Sequence, residues 1–549
     1  MTPPAAKGSP VARRLALPLV VFALSLVVLM ATDGMYGITY DEPIYQSKSI
    51  QALEWLRLFA ISPALAASDY GVDRYWQAKD QHPGFFKLLT AGCGATLGRL
   101  VAYNATWRTG TNLLAALCVA ALCGWVSGLW GRAAGTVAAG SLLLMPRVFA
   151  HCHLAALDSP VMSLSFLAVV ASWVACQRAG RSAWGWAALA GVLWGLGLGT
   201  KLNAFFVPFI VFPWVLVFAR RRFWPLAACF AVLGPLSFWG TWPWLWHDTL
   251  PRFMEYFRFH LQHYPVSVMY LGRNWDYAPW HYPLVMTLVT TPPAVLVLAA
   301  VGMGRLWGRE QLGAAPETAR RAALVLGAWA LLVNILPNCL PETPKYGGVR
   351  LFLPVFPYVA LFAAVGFQGL QERVRRWAEA RMPVDDLRPK LAALGVFLAL
   401  VGPLMAVSQF TPYHLSYYNA FIGGLPGAVR AGMEPTYWGD TYRAAALWLA
   451  ERAGKGECVW VDPVGFESTV RLFEIMPLRP DLETTSGPDT LAEADWVVTQ
   501  NKPIEFSPPA RELVESGKPA FTDGIGGVPL IYVFRMRPGD QAPAERIED

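Results

Sequence analysis

Long apolar runs recur along the first three quarters of the chain and set its reading before any single residue does. They lie near residues 15–32, 110–130, 134–150, 160–176, 184–199 and 203–219, then near 223–246, 283–304, 322–337, 351–370 and 391–410. Each approaches the roughly 20 residues that an α-helix needs to cross about 30 Å of hydrocarbon. Several meet tryptophans at their ends (Trp184, Trp224, Trp246), which suit the lipid–water boundary. The first run has the length of a full span and no small-residue cleavage site after it, so it reads as a retained anchor rather than a signal peptide. The pattern predicts a polytopic α-helical membrane protein with about eleven spans over residues 1–410.

After residue 410 the period changes. A helix is expected near 440–454, a strand at Glu457–Val461, a short helix near 465–473 and a strand at Asp495–Thr499. A helix near 509–516 and a strand at Pro529–Phe534 follow. Such alternation predicts a small α/β domain over 411–549. It holds no catalytic motif or glycine-rich phosphate loop and reads as a structural or acceptor-binding cap.

Composition agrees with the apolar pattern. Of 549 residues, 55% are hydrophobic and only 15% charged, against roughly a quarter charged in an average soluble protein. That excludes a string of soluble domains, disorder and a disulfide scaffold. The eight cysteines contain no C-x-x-C and lie mostly in apolar runs, as packing residues do. The net charge of +7 comes with no basic stripe interleaved with exposed aromatics, so nucleic acid is not an expected partner.

Charge instead sets sidedness. The run Phe85–Tyr103 carries Lys87 and Arg99 and opens with Pro83-Gly84. If it does not cross, Lys and Arg are about three times as dense in 1–14, 131–133, 177–183, 220–222, 305–321 and 371–390 as in the opposite loops. The positive-inside rule then puts the N-terminus in the cytoplasm. If it crosses, Arg220-Arg221-Arg222 fall outside. Phe85–Tyr103 is therefore expected to be a juxtamembrane or re-entrant helix within a first extracytoplasmic loop, 33–108. The C-terminal domain follows outside an inner (plasma) membrane.

Polar residues collect on that outer face. Asp41-Glu42 follow the first span, and adjacent carboxylates there are either solvated or functional. Because each opposes the other's ionisation, one can become a useful base. His82-Pro83-Gly84 leads to Lys87 at the head of an apolar helix, where a lysine either snorkels or holds a phosphate. Arg147, His151, His153 and Asp158 flank a loop between two spans. Histidines two residues apart diverge on a helix, which disfavours a metal and favours help to an anion. Lys201, between two apolar runs, has little room to reach bulk water. Lys345 and Arg350 add cations, and Tyr270–Asp276, with Arg273, suits a sugar or the interface. Cations at headgroup depth beside a carboxylate suit group transfer from a phospholipid-type donor.

These residues resemble a known family. Asp41-Glu42, His82-Pro83 with Lys87, Leu144-Met145-Pro146 through His151 to Asp158, Gly197–Lys201 and Arg350–Pro354 are similar to motifs of the GT-C glycosyltransferases. The nearest group is family 39, the protein O-mannosyltransferases and the lipid A aminoarabinose or galacturonic-acid transferases. The resemblance covers roughly residues 33–370. It implies inverting transfer from a polyprenyl-phosphate sugar to a hydroxyl on a lipid, glycan or protein acceptor, among membrane lipids and with no cofactor or divalent metal required. Carried over by position, Asp41 matches the base, Glu42 its acidic companion and Asp158 the second acidic position. Lys87, Lys201 and Arg350 match positions holding the donor phosphate. Here His82-Pro83-Gly84 stands where many members have a basic residue or histidine and two prolines. The rival reading is a transporter or flippase of a lipid-linked sugar, which makes and breaks no bond; paired repeats and acids deep within spans would favour it.

Overall fold

The computed structural model describes residues 10–76, 82–97, 103–262, 264–308, 315–381 and 388–536. Among them seven helices are long and apolar enough to cross a membrane: Leu15–Met35, Thr106–Trp130, Asp158–Gln177, Arg220–Gly240, Glu317–Cys339, Arg350–Glu379 and Arg388–Gln409. Tyr282–Val289 and Pro293–Trp307 form a pair bent by 117° that would make an eighth. The polytopic helical reading holds; the run 184–199 is the continuous helix Gly180–Leu198, while two of the expected eleven runs take other forms. Pro146 divides the run 134–150 into Arg132–Leu143 and Pro146–His151. Glycines dilute the apolarity of Gly180–Leu198. The run 203–219 is a 3-10 turn, Leu202–Phe206, leading into the short helix Val207–Phe218.

Helix Phe85–Leu97 has 13 residues, about 20 Å of rise, and is too short to cross upright. Arg99 lies outside the described residues. The helix starts against the site region, with the Phe85 amide donating to Gly199 O at 2.8 Å.

Small residues bring the helices together. A Cβ on Gly302 would fall 1.9 Å from Phe362 O, and one on Gly366 1.9 Å from Leu298 O. Gly195 and Gly191 likewise press against Gly234 O and Cys229 O of the neighbouring helix. Close backbone approach of this kind replaces the hydrophobic drive that lipid cannot supply. The helix Phe356–Glu379 runs through the middle, buried from Phe356 to Phe367, whereas Leu19, Leu24 and Val27 of the first span face outward. All eight cysteines are free.

The C-terminal domain is built on a five-stranded sheet. With the hairpin strands β1 (Val268–Tyr270) and β2 (Arg273–Trp275) counted first, its strands are β3 (Cys458–Asp462), β4 (Glu483–Thr485), β5 (Trp496–Gln500), β6 (Phe521–Ile525) and β7 (Val528–Arg535). Their spatial order is β4-β3-β5-β7-β6, parallel across β4, β3 and β5 and antiparallel beyond. The central strands β3 and β5 are buried throughout, as strands covered on both faces must be. Val459 and Val461 pack with helix Tyr442–Arg452, and Trp460 packs on the other face with Ala510 of helix Pro508–Ser516. The expected small α/β domain is present; β4 and β6 are additions to the sequence reading.

The segment between the last span and this domain is stitched to the bundle. Asn419 donates through Nδ2 to Leu288 O (2.6 Å) and Thr291 O (2.7 Å), which satisfies carbonyls freed where the bent helix pair breaks. The Ile38 amide donates to Glu474 Oε1 at 2.7 Å, and the Tyr40 amide to Trp438 O at 2.9 Å.

Candidate active site

Four charged side chains meet at one end of the bundle. Arg350 opens the turn that leads into the central helix and spans two acids: its NH2 donates to Asp41 Oδ2 at 2.5 Å and its Nε to Asp158 Oδ2 at 3.2 Å. Lys201 Nζ donates to Asp158 Oδ1 at 2.6 Å. The chain Asp41–Arg350–Asp158–Lys201 thus alternates in sign and sums to zero. Its members come from the N-cap of helix Glu42–Ile61, the start of helix Asp158–Gln177, the turn after helix Gly180–Leu198 and the head of the central helix. Asp158 is buried at 2% exposure, while Asp41 keeps 20% and both cations 13%. The cluster therefore opens to the outside at Asp41.

Aromatic rings brace the guanidinium. Arg350 Cζ lies 3.7 Å from the Trp438 ring centroid and 5.2 Å from that of Tyr346. Trp438 Nε1 also donates to Asp41 Oδ2 at 3.0 Å. Both donors use one oxygen. Among the described residues, Asp41 Oδ1 has no hydrogen bond and is free to accept one.

Glu42 has a different situation from its neighbour. Fully buried, it accepts from Arg108 Nε (2.8 Å) and NH2 (2.9 Å), from the Thr39 amide (2.8 Å) and hydroxyl (3.1 Å), and from the Ala155 amide (2.8 Å). Its lone pairs are used up in holding the 33–42 segment against the loop before Asp158. Arg108 completes that hold by donating to Asp33 O (2.9 Å) and Gly37 O (2.8 Å).

The other residues singled out from the sequence divide into three groups. His82 stands beside the cluster, within the field of Lys201, and Lys87 Nζ donates to His82 O at 2.7 Å. Burial, with the positive fields of Lys201 and Lys87, drives the His82 imidazole well below its ordinary pKa. Arg147 and His151 form a second shelf, where Arg147 Nε donates to Tyr417 O (3.0 Å) and its guanidinium lies 4.6 Å and 5.4 Å from the rings of Tyr418 and Tyr437. His151 Nε2 meets the Tyr437 hydroxyl at 3.1 Å, and its ring lies 5.4 Å from that of Trp438. Burial, against the pull of Asp158, pushes its pKa down to about 3, so it is a neutral imidazole at physiological pH.

The remaining three point elsewhere. His153 turns away from His151, with Nδ1 on Phe149 O (2.7 Å) and Nε2 on the Thr32 hydroxyl (2.7 Å). Lys345 is buried and ties its own loop, donating to Leu340 O and Thr343 O at 2.8 Å each. Arg273 is exposed on β2 of the hairpin. Among the described residues no group of three or more His, Cys, Asp and Glu side chains converges as a metal set.

Two residues that matter here were not singled out from the sequence. Arg108 had a signal, since it is a cation at the head of an apolar run. Trp438 lies 397 positions from its partner Asp41, a pairing that no local pattern shows.

Comparison with known proteins gives one family match. The family model described as dolichyl-phosphate-mannose-protein mannosyltransferase matches residues 94–246, a segment that contains His151, Asp158 and Lys201. No curated protein matches the sequence. Among solved structures, ArnT from Cupriavidus metallidurans in the apo state is similar at 15% identity over 95% of this chain and 97% of that one, with a TM-score of 0.47. The apo oligosaccharyltransferase of Archaeoglobus fulgidus is similar at 11% identity over 89% and 70%, with a TM-score of 0.48. Arabinofuranosyltransferase AftD from Mycobacteria is similar at 16% identity over 97% and 40%, with a TM-score of 0.44.

Proposed function

We propose that this chain is an integral-membrane glycosyltransferase that moves a sugar from a polyprenyl-phosphate donor to an acceptor hydroxyl at the non-cytoplasmic face, with inversion. The observation that carries the reading is the Asp41–Arg350–Asp158–Lys201 chain at one end of the bundle. The family matched over 94–246 is named for dolichyl-phosphate-mannose. The greater density of Lys and Arg in the opposite loops supports a non-cytoplasmic placement of that end, in the inner (plasma) membrane.

In this mechanism the acceptor hydroxyl gives its proton to Asp41 Oδ1 as its oxygen attacks the anomeric carbon from the face opposite the phosphate. The bond from the anomeric carbon to the phosphate oxygen breaks, and its electron pair leaves on the phosphate. A phosphodiester with one negative charge becomes a monoester that gains a second, so the leaving group demands more positive charge at the transition state than at the start. Lys201 and Arg350 supply it without a metal and are held in place before reaction by Asp158. Asp158 is the tether of the cations, and Lys87, held on His82 O, is the further cation assigned to the phosphate. The acceptor is a lipid, glycan or protein bearing a free hydroxyl.

Purified full-length protein in detergent, incubated with radiolabelled polyprenyl-phosphate sugars and an envelope extract as acceptor, tests the reading. Transfer of label with release of polyprenyl phosphate is expected. Movement of intact donor across vesicle membranes with no bond broken would establish a carrier instead.

A further inference from the structure

Trp438 lies in an irregular stretch between the last span and the sheet, and its geometry is unusual in three respects. It is a non-glycine residue at φ +77°, in a left-handed conformation that persists only where surrounding contacts impose it. Its indole Nε1–H donates to the Oδ2 of Asp41, the oxygen that also accepts from Arg350. Its ring face lies against the Arg350 guanidinium at 3.7 Å. The backbone is pinned as well, because Trp438 O accepts from the Tyr40 amide one residue before Asp41. The following Gly439, at φ +91°, has no room for a side chain, since a Cβ there would fall 2.2 Å from the Phe466 ring.

We propose that Trp438 is a positioning residue: it fixes the Asp41 carboxylate by one oxygen and the Arg350 guanidinium by its face, leaving Oδ1 turned to the acceptor. The inference rests on the reading of Asp41 as the base, but the physical link between the two side chains can be tested without it. A carboxylate that accepts two donors on one oxygen is fixed in orientation, and its other oxygen can point in only one direction. The same indole stacks on a cation that would face the leaving phosphate. One side chain from beyond the last span thus sets the angle between the two working groups.

Two arms test this in full-length protein. In the first, thermal unfolding is measured for Trp438→Phe, Asp41→Ala, which removes the accepting carboxylate, and the double variant. Phenylalanine keeps a ring over Arg350 and removes only the N–H. Coupling is expected, with the second substitution costing less than half of what it costs alone; additive effects overturn the proposed link. In the second, kcat and KM for transfer from the labelled donor are measured separately. Trp438→Phe is expected to lower kcat about tenfold with the donor KM unchanged, whereas Trp438→Leu, which also frees Arg350, raises the donor KM several-fold. If Asp41→Asn is inactive and Trp438→Phe keeps the parental kcat and KM, the positioning role is wrong and the base assignment stands. If Asp41→Asn turns over normally, the base assignment falls, and the unfolding arm alone decides whether the two side chains are linked.

Discussion

Arg108 closes on Glu42 with both prongs, Nε to Oε1 and NH2 to Oε2, at side-chain exposures of 1% and 0%. Two adjacent carboxylates, Asp41 and Glu42, therefore have separate partners: one is locked inside by a cation from the second long span, and the other faces a cation from the central helix. The like-charge conflict anticipated for neighbouring acids is relieved by giving each its own arginine.

Breaking the inner pair should harm the fold more than the chemistry. Removing one partner of a buried ion pair costs about 3–5 kcal/mol, because the other charge is left without compensation. Glu42→Gln and Arg108→Met are each expected to lower the unfolding temperature in detergent sharply and to reduce membrane yield. Whatever folded protein is recovered from Glu42→Gln should keep a near-parental KM for donor. Thermal unfolding and donor titration of the same preparation check this.

Asp41→Asn should be the reverse case. The amide keeps the size and can still accept from Arg350 and Trp438, so insertion and unfolding temperature are expected to change little. Turnover should fall by about a hundred- to ten-thousandfold, the usual range for loss of a general base. Single-turnover transfer of label is the measurement.

For Lys201→Ala, the donor KM is expected to rise and turnover to drop by about a hundredfold or more, as when one stabiliser of a developing anion is removed. Lys201→Arg should recover part of the loss, because it keeps a charge next to Asp158. Equal donor dependence in the alanine variant and the parent would remove Lys201 from the phosphate end.

Stability should fall as pH rises through a window set by Asp440. This carboxylate is buried among the first loop and the C-terminal segment, and burial pushes its pKa up to about 8 from the ordinary 3.8. Between those values the folded chain keeps a proton that the unfolded chain has lost, so folding opposes ionisation and stability declines with rising pH. Asp440→Asn is expected to flatten that slope and to raise the unfolding temperature at pH 8 relative to the parent. Unfolding curves from pH 5 to 9 decide it.

Sequence and structure differ most where distant segments meet. The apolar runs announced the bundle because burial in lipid needs unbroken hydrophobicity, and Asp41, Asp158, Lys201 and Arg350 stood out because charges at span ends are costly without a task. Proline and glycine content explained why the runs 134–150 and 203–219 did not become single long spans. Glu42, His153 and Lys345 looked like Asp41, His151 and Arg350 in sequence, yet their partners are backbone atoms, threonine hydroxyls and Arg108, which no spacing rule reveals. Trp438 lay in a stretch without regular secondary structure, where neither periodicity nor charge marks a residue.

The tie between Trp438 and Asp41 has a consequence for the order of synthesis. The ribosome delivers Asp41 near the start and the tryptophan only after the last span has been made, so every helix is threaded before the reactive end is finished. A nascent bundle that has not yet been extended to residue 438 lacks the indole against Arg350, and its Asp41 carboxylate is without the Nε1–H donor. The geometry around Asp41 is therefore completed by a residue that is made only after the helices it braces.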